Sequence, residues 1–293
     1  MANKEIEIGN RSISNNCVPY FIAEIGINHN GDMNIAKKLI DAANATSWDS
    51  VKFQKRVPEH AVPECQKEVM RETPWGSMTY LEYKKRIEFS KGEYDEIDAY
   101  CRAKPLDWSA SPWDLPSVEF LAAYDLPYIK IASASNSDMD IIKRCCEMRI
   151  PIIISCGMST IKETDNTVNT LEKYGNGDYV ILHTNSSYPA KNSDLNLRMI
   201  ETLRDRYDCL VGYSGHEYDL QPSVVASALG AVVIERHVTL SHELWGTDQR
   251  ASLEISGMFL LRNRALSVFE AMGDGVKSLS EDELLVRKKL RGD

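Results

Sequence analysis

Eight short apolar runs alternate with amphipathic stretches along most of the chain. The runs are rich in branched and aromatic side chains, whereas the stretches between them repeat apolar positions every three or four residues. The predicted strands are residues 20–25, 50–54, 107–111, 127–131, 152–155, 179–183, 210–214 and 232–237. The predicted helices are residues 34–45, 93–102, 115–124, 138–148, 161–174, 194–207, 220–229 and 255–272.

Eight strand–helix units in a chain of 293 residues predict an α/β fold, the closed parallel (β/α)8 TIM barrel. A doubly wound open sheet is the alternative. Residues 5–14 alternate apolar and polar positions around Gly9-Asn10, which predicts a β-hairpin that caps the N-terminal mouth of the barrel. We predict one domain over residues 1–293, with a hairpin extension at 1–18 and a C-terminal helical tail at 273–293.

The longest insertion follows the second predicted strand and covers residues 56–90, including TPWGSMTYLEYKKRIEFS. Loops after the strands of a barrel face its active-site end, so this insertion could form a lid or a wall of a substrate site. It could equally be a surface helix with Trp75 as a packing residue. The sequence leaves both interpretations open.

Polar side chains stand at the C-terminal end of every predicted strand. In a barrel these ends meet at one mouth, and residues two apart on a strand share a face. The pairs Lys52 with Gln54 and Glu235 with His237 follow this spacing. The polar residues at or just after the strand ends are Glu24, Lys52, Gln54, Ser111, Lys130, Ser133, Ser155, His183, Asn185, Ser186, Ser214, His216, Glu235 and His237.

The lysines and serines in this set predict a pocket for phosphate and carboxylate groups. Lysine supplies a point charge, and hydroxyl groups supply directional hydrogen-bond donors. A single lysine at a strand end is more often solvated or ion-paired, but the combination reverses that preference. The residues concerned are Lys52, Lys130, Ser111, Ser133, Ser155 and Ser214.

Four of the six histidines fall in the same region, at positions 29, 183, 216 and 237. Their spacing is not a compact metal motif, and a lone histidine is more often a core or loop residue. His216 and His237, however, come from neighbouring strands seven and eight, so their imidazoles could meet on one ion. Two ring nitrogens with water and a substrate oxygen suit Mn²⁺, Zn²⁺ or a similar divalent ion.

Glu24 lies inside the apolar run FIAEIGINHNG, where an unpaired carboxylate is costly to bury. Its candidate partners are a cation, a metal-bound ligand or a sugar hydroxyl, and it could also act as a general base or bind water. The alternative is a structural ion pair with a barrel lysine.

Composition narrows the class of protein. The net charge of −9 disfavours a nucleic-acid partner. No apolar run approaches the length of about 20 residues that crosses a bilayer, and the N-terminus has no apolar signal segment. The seven scattered cysteines include no CxxC motif, which is typical of reduced thiols. We therefore predict a cytoplasmic protein with no membrane partner.

Seven motifs in this order resemble the catalytic domain of the sialic acid synthase (NeuB-type) family. They are FIAEIGINHNGD, VKFQ, PYIKIASAS, IIISCGMST, LHTNSSYP, GYSGHE and IERHVT, and the match covers residues 20–270. The resemblance implies a TIM barrel that condenses phosphoenolpyruvate with an N-acylated aminosugar. The product would be a nine-carbon α-keto acid, and phosphate would leave by C–O cleavage.

The resemblance also implies roles for individual residues and a homo-oligomer, in the form of a dimer. Phosphoenolpyruvate would be held by Lys52, Ser111, Lys130, Ser133, Ser155, Ser186 and Ser214. His216 and His237 would ligate a divalent metal, Mn²⁺ first and Mg²⁺ or Co²⁺ as alternatives. Glu24, Gln54, Tyr188 and Asp248 would contact the sugar, and Glu24, His237 and Lys130 form the predicted catalytic set. The acceptor stays open between N-acetylmannosamine and the diacetamido-trideoxyhexoses that lead to legionaminic or pseudaminic acid.

Members of this family usually continue into a C-terminal antifreeze-like (SAF) domain that lends an arginine to a partner's sugar site. The present sequence ends at Asp293 without one, which leaves open a short member or part of a longer protein. Three other functions stay open. A Kdo- or DAHP-like synthase would need a basic cluster for an acceptor phosphate, and none is evident beyond Lys55 and Arg56. The others are a Schiff-base aldolase using Lys130 and a non-catalytic sugar-binding barrel.

Overall fold

The computed structural model describes residues 4–292, so residues 1–3 and 293, the outer ends of the predicted extension and tail, lie outside the described residues. Its strands are β1 (Glu5–Ile8), β2 (Arg11–Ser14), β3 (Tyr20–Gly26), β4 (Ser50–Lys55), β5 (Met70–Thr73), β6 (Gly76–Thr79), β7 (Asp107–Pro112), β8 (Ile129–Ile131), β9 (Ile152–Ser155), β10 (Tyr179–Thr184), β11 (Leu210–Gly215) and β12 (Val233–His237). Each of the eight predicted barrel strands begins and ends within two residues of an observed one.

Eight parallel strands form one sheet in the order β7, β4, β3, β12, β11, β10, β9, β8. The two strands at the ends of this order also meet. The Ser109 hydroxyl on β7 donates to the carbonyl oxygen of Tyr128, just before β8, at 2.8 Å. The sheet is therefore a nearly closed barrel, which confirms the predicted TIM-barrel fold and removes the open-sheet alternative.

The helices are α1 (Met33–Ala45), α2 (Pro58–Ala61), α3 (Glu64–Lys67), α4 (Tyr80–Ile87), α5 (Lys91–Arg102), α6 (Leu115–Leu121), α7 (Met139–Glu147), α8 (Ile161–Tyr174), α9 (Met199–Tyr207), α10 (Gln221–Ala228), α11 (Ile255–Met272) and α12 (Glu281–Arg291). Helix α8 has the predicted bounds, because Thr160 and Glu163 form a capping box at its start. Helix α9 begins five residues later than predicted. Asn196 adopts a left-handed φ of 45°, which a helix cannot include.

The N-terminal hairpin closes the lower end of the barrel. Its buried side chains Ile6, Ile8 and Ile13 join the interior cluster of the barrel. On β3, Ile22 belongs to the same cluster, and Glu24 lies on the same face one layer higher, towards the opposite mouth. The hairpin thus fills the bottom of the barrel interior and leaves the polar layer at the top.

The insertion forms α2, α3, the β5–β6 hairpin and α4. It packs against the loop after β12 through aromatic contacts: the ring centroid of Trp245 lies 5.8 Å from that of Trp75 and 5.2 Å from that of Tyr83. Tyr80 and Lys84 of α4 face a pocket at the barrel mouth. The insertion is therefore a wall of that pocket, and Trp75 also packs as the alternative interpretation expected.

The chain after α11 forms the helix α12, in which no described residue is buried. This agrees with a helical tail, although the extent of the single predicted domain stays a prediction. None of the helices among residues 4–292 has both the length and the apolar character that crossing a membrane requires.

Candidate active site

The C-terminal ends of the barrel strands surround a cavity of about 180 Å³. Twelve of the thirteen predicted site residues line it, and all eight barrel strands or the loops after them contribute. The twelve are Glu24, Lys52, Gln54, Ser111, Lys130, Ser133, Ser155, Ser186, Tyr188, Ser214, His216 and His237. The structure therefore brings the predicted residues together, whereas their roles stay predictions.

Glu24 has a buried partner on the next strand. Its Oε2 lies 2.7 Å from Nζ of Lys52, and its Oε1 accepts a hydrogen bond of 3.0 Å from the Gln54 amide. Lys52 also donates to the Ser111 hydroxyl at 2.9 Å. The ion pair with a barrel lysine, which the sequence offered as an alternative, is thus present, and it lies in the wall of the cavity rather than beneath it.

A bulge at the end of β3 makes room for this carboxylate. The strand register shifts between Glu24 and Gly26, and Gly26 has a left-handed φ of 55°. A Cβ atom at Gly26 would lie 3.1 Å from Glu24 Oε1 and 3.2 Å from Cε1 of His237. Glycine therefore meets two needs here, the backbone conformation and the close approach of two cavity side chains.

Lys130 and Glu235 form a second charged pair in the cavity. Lys130 donates to the Ser155 hydroxyl at 2.7 Å and lies 3.7 Å from Glu235 Oε1, which also accepts from the Ser214 hydroxyl at 3.2 Å. Burial lowers the pKa of Lys130 to about 8, although Glu235 opposes this shift. Burial alone would raise the pKa of Glu235, but Lys130 and Lys52 hold it below its ordinary value.

The loops after β8, β9 and β10 supply further donors. The Ser186 hydroxyl is buried without a hydrogen-bond partner in the described chain, and the Ser133 hydroxyl accepts from the Gly157 N–H at 3.1 Å. A Cβ atom on Gly157 would lie 2.4 Å from the Ser186 Oγ and 2.7 Å from the Ser133 Oγ. The missing side chain at Gly157 keeps both hydroxyls in place at the cavity wall.

His216 and His237 lie side by side, with ring centroids 5.5 Å apart. His216 Nδ1 donates to the Asn185 carbonyl oxygen at 2.6 Å, so Nε2 keeps its lone pair and accepts from the Tyr188 hydroxyl at 3.0 Å. Burial, and then the neighbouring His237, lower the pKa of His216 to about 3. The imidazole is therefore neutral, as a metal ligand must be.

These two histidines fit a divalent ion that takes its other ligands from water or substrate. His237 Nδ1 is buried with no hydrogen-bond partner among residues 4–292, and a carbonyl oxygen behind His216 orients that ring, as the outer partners of metal-bound histidines do. The described residues include no group of three or more His, Cys, Asp or Glu side chains placed to hold a metal. A site here would therefore be open, with two protein nitrogens.

Asp248 is the one predicted site residue outside the cavity lining. It lies in an adjoining pocket of about 240 Å³, and its Oδ2 is 3.9 Å from His237 Nδ1. The two spaces share Gln54, Trp113 and Tyr188, so they are continuous at the barrel mouth. The adjoining pocket is also lined by Arg56 and Lys84.

Comparisons with known proteins identify the family of this chain. The model of the NeuB family matches residues 39–277. The chain belongs to the NeuB family. The N-acetylneuraminate-9-phosphate synthase of Drosophila melanogaster is 37% identical over 277 residues, which cover 94% of this chain and 73% of that protein. The N,N'-diacetyllegionaminic acid synthase of Campylobacter jejuni is 33% identical, with 92% of this chain and 83% of that protein covered.

A solved structure shows the same architecture. The N-acetylneuraminic acid (sialic acid) synthetase of Leptospira borgpetersenii superimposes on this NeuB-family chain with a TM-score of 0.87 and 28% identity. The match covers 99% of each chain. The relatives are synthases of different sialic-acid-type products, so the prediction of an enzyme of this family is confirmed, whereas the acceptor is not fixed by similarity.

Two residues of the site were missed as site residues by sequence reasoning. Glu235 stands between the two buried lysines, and its spacing of two from His237 was the available signal. Lys84 reaches the adjoining pocket from α4, and nothing in the sequence pattern connected it to the barrel mouth. Conversely, Lys55 is paired with Glu88 at 2.6 Å and does not line either space.

His29 and His183 do not line the cavity of this NeuB-family chain. His29 stacks on Phe89 with ring centroids 4.0 Å apart, and its Nδ1 accepts from the Gly31 N–H at 3.0 Å. His183 Nε2 lies 2.6 Å from the Leu195 carbonyl oxygen. Both are satisfied core histidines, which was the alternative interpretation of a lone histidine.

His29 makes the stability of the protein depend on pH. Burial, and then the charge of Arg56, lower its pKa to about 3, whereas an unfolded histidine titrates near 6.5. Between these values only the unfolded state binds the proton, so stability falls as pH falls, by about 1.4 kcal/mol per pH unit. Between pH 7 and pH 5, we expect the unfolding free energy of the wild type to fall by about 2 kcal/mol more than that of His29→Gln.

Urea unfolding at the two pH values measures this difference. The control is His60→Gln, because His60 is exposed. It should keep the wild-type dependence. If the unfolding free energy of His29→Gln changed with pH as much as that of the wild type, the assignment of His29 as a neutral buried residue would be contradicted.

Proposed function

We propose that this NeuB-family chain condenses phosphoenolpyruvate with an N-acylated aminosugar to a nine-carbon α-keto acid and phosphate. The observation that carries the proposal is one buried cavity that combines two lysines, their hydroxyl partners and two histidines. The lysines suit a small anion that carries a phosphate and a carboxylate, and the histidines suit a divalent ion beside an aldehyde. The synthase names of the relatives support the same reaction class.

Phosphoenolpyruvate carries a phosphate and a carboxylate, and the cavity offers donors for both. Lys52 and Lys130 supply the charges, and the Ser186 hydroxyl, unpartnered within the described chain, is free to donate to a ligand. A bound anion would favour the protonated form of Lys130, whose pKa burial lowers. The assigned binding residues are Lys52, Ser111, Lys130, Ser133, Ser155, Ser186 and Ser214.

His216 and His237 would hold the divalent ion, with Mn²⁺ as the first choice and Mg²⁺ or Co²⁺ as alternatives. Bound there, the ion would supply Lewis acidity to the aldehyde oxygen of the open-chain sugar. Tyr188 and Gln54 line both the cavity and the adjoining pocket. They are placed to orient the sugar, and Asp248 faces it from the adjoining pocket.

The bond changes balance with one water. Carbon 3 of phosphoenolpyruvate donates its π electrons to the aldehyde carbon, and the aldehyde oxygen takes up a proton. Carbon 2 becomes electron-poor, and water adds there with loss of a proton. The bond from carbon 2 to the bridging oxygen then breaks, its electron pair leaves with phosphate, and the new hydroxyl loses its proton to become the ketone.

Glu24 is assigned to the electron-poor carbon 2. Its carboxylate is fixed by Gln54 and Lys52, so it presents a negative charge to the cavity without needing to reorganise. In this position it stabilises the developing positive charge and orients the attacking water. This role explains why the chain keeps a carboxylate in a strand that otherwise buries apolar side chains.

Phosphate release from phosphoenolpyruvate tests the proposal. We expect release only when an aminosugar is added, with a keto acid formed in equal amount. N-acetylmannosamine and the two diacetamido-trideoxyhexoses are the acceptors to compare. Phosphate release without an acceptor would contradict the proposal. The absence of phosphate release with all three acceptors would also contradict it. A borohydride-trapped adduct on Lys130 would instead support the Schiff-base aldolase.

Gly157→Ala is expected to weaken phosphoenolpyruvate binding. Its Cβ atom would displace the Ser133 and Ser186 hydroxyls, which lie 2.7 and 2.4 Å from the Cβ position. Loss of one or two hydrogen bonds to a charged ligand predicts a KM for phosphoenolpyruvate raised about tenfold or more. Gly92→Ala is the control, since nothing in the described chain lies within 4 Å of a Cβ atom there. An unchanged KM in Gly157→Ala would show that these hydroxyls do not bind phosphoenolpyruvate.

A further inference from the structure

A fully buried ion pair joins the two chain segments that carry the cavity histidines. The side chains of Arg236 and Glu217 have no exposed surface, and Arg236 Nη1 lies 3.0 Å from Glu217 Oε1. Arg236 precedes His237 on β12, and Glu217 follows His216 after the end of β11. Because successive side chains of a strand point to opposite faces, Arg236 points away from the cavity, where it donates to the Ser223 hydroxyl of α10 at 3.0 Å.

Arg236 holds the backbone that follows β11. Its Nη2 donates to the carbonyl oxygen of Glu217, and its Nη1 donates to that of Asp219 at 3.1 Å. The register between β11 and β12 ends with Gly215 opposite Arg236, so His216 lies beyond the last paired residues of these strands. The guanidinium therefore continues where the strand pairing stops and holds the segment after β11 against β12.

Glu217 is held in one position by three donors. Its Oε2 accepts from the Tyr213 hydroxyl at 2.8 Å, and its Oε1 accepts from the Ser223 hydroxyl at 2.9 Å as well as from Arg236. These donors come from β11, α10 and β12. A Cβ atom at Gly215 would lie 2.6 and 2.7 Å from the two carboxylate oxygens. The missing side chain at Gly215 therefore leaves the space in which the carboxylate folds back.

Stability of the fold alone is a weak reason for this pair. Burying two charges has a desolvation cost, and apolar side chains of similar size often stabilise a core equally well or better. The Arg236 Nε is also buried, and none of residues 4–292 accepts a hydrogen bond from it. A planar guanidinium fixes direction as well as distance, which an apolar side chain does not do. The contacts therefore favour a role in positioning.

We propose that the Arg236–Glu217 pair positions the two cavity histidines for the divalent ion. This inference rests on the proposed function, because it takes His216 and His237 as the metal ligands. The described residues offer the ion only two nitrogens, so its affinity depends on how well the spacing of the two imidazoles fits the ion. The Asn185 carbonyl oxygen orients one ring, and the pair holds the two backbone segments together.

A double substitution separates positioning from stability. Arg236→Met combined with Glu217→Met removes both charges, so neither is left buried without its partner, and apolar side chains fill the space. We expect this variant to stay folded with a Tm close to that of the wild type. Its Kd for Mn²⁺ should rise about tenfold or more. An unchanged Kd in the folded double variant would overturn the inference.

Glu217→Gln and Glu88→Gln form a matched comparison. Each removes one carboxylate charge from a buried ion pair, and Glu88 pairs with Lys55 at 2.6 Å, outside the cavity lining. Both substitutions should lower the Tm, but only Glu217→Gln should raise the Kd for Mn²⁺, by about threefold or more. Equal Kd values for the two variants would contradict a specific link between the pair and the histidines. This comparison also decides the matter if the double variant does not fold.

Binding of phosphoenolpyruvate without metal shows whether the rest of the cavity is intact. Lys52 and Lys130, the cations assigned to this substrate, lie on β4 and β8, which pair with neither β11 nor β12. Calorimetry in EDTA should give Glu217→Gln and the double variant the wild-type Kd for phosphoenolpyruvate. A parallel loss of phosphoenolpyruvate and Mn²⁺ binding would indicate a general disturbance of the barrel mouth and would overturn the positioning role.

Mn²⁺ binding is measured without either substrate, by electron paramagnetic resonance of the free ion, so it does not depend on turnover. No Mn²⁺ binding by the folded wild type would overturn the inference, whereas phosphate release with an aminosugar in EDTA would still support the condensation. Equal Mn²⁺ binding by the wild type and all variants would overturn the inference and leave the proposed function intact. The expected differences in Mn²⁺ binding without any phosphate release would keep the inference and overturn the proposed reaction.

Discussion

Glu24→Gln is expected to lower kcat by about 10²- to 10⁴-fold while the protein stays folded. The amide keeps the shape of the side chain and can still accept from Gln54, but it removes the negative charge that we assign to carbon 2 of phosphoenolpyruvate. Lys52 loses its ion-pair partner at 2.7 Å. Glu235, at 4.0 Å from Lys52, and the hydroxyl of Ser111 remain next to the ammonium and limit the loss of stability.

Steady-state kinetics with both substrates saturating measure this effect, with thermal unfolding as the check on the fold. Removing one member of a buried ion pair costs about 3–5 kcal/mol, so we expect a lower Tm as well. Glu243→Gln, an exposed carboxylate at the same end of the barrel, should keep wild-type turnover. Near-normal turnover in Glu24→Gln would contradict a catalytic role. Glu24 would then have only the structural role of an ion-pair partner of Lys52, which was the alternative interpretation.

Replacing either cavity histidine by asparagine is expected to abolish binding of the divalent ion proposed for this site. With only two protein nitrogens in an open site built from the described residues, loss of one leaves too few ligands to hold the ion. We expect the metal content of His216→Asn and of His237→Asn to fall from about one ion per chain to near zero. Turnover should fall by about 10²-fold or more, because Lewis acidity contributes several kcal/mol to such reactions.

Metal analysis by mass spectrometry and turnover in EDTA measure these two effects separately. His242→Asn is the matched control, since His242 lies near the same end of the barrel but outside the cavity. It should keep both metal and activity. Full activity of the wild type in EDTA would contradict the metal role. If both cavity variants retained the metal, the metal ligands would be residues other than His216 and His237.

The apolar runs and the polar residues at their ends predicted most of the fold and most of the cavity lining. Apolar runs with polar ends predict parallel barrel strands, and the period of two correctly places Lys52 and Gln54 together at the cavity. The positions of His216 and His237 follow from the same rule, because β11 and β12 are neighbours in the sheet. Local periodicity therefore determines which side chains enter the barrel mouth.

The insertion between β4 and α5 obeys no such rule. Its short helices and the β5–β6 hairpin have little periodicity of their own, so the position of Lys84 depends on how α4 packs against Trp245 through Tyr83. The loop that carries Asp248 is similar, since it has no regular strand or long helix to fix its direction. Tertiary packing sets these contacts, and a local sequence pattern does not encode them.

Glu235 shows a different limit. The sequence placed it on the inward face with His237, but a strand-end carboxylate has many candidate partners. Only the barrel register shows that it lies between Lys52 and Lys130, at 4.0 and 3.7 Å. The sequence thus indicated that charges meet in the cavity, while their pairing required the three-dimensional arrangement of β4, β8 and β12.

An oxygen-18 label in the bridging C–O–P oxygen of phosphoenolpyruvate distinguishes the proposed condensation from other routes to free phosphate. The reaction is run with phosphoenolpyruvate and the preferred aminosugar, and both products are analysed by mass spectrometry. We expect the label to leave entirely in inorganic phosphate, while the nine-carbon keto acid takes its new ketone oxygen from water. Label retained in the keto acid, or label in phosphate without any nine-carbon product, would contradict the proposed reaction.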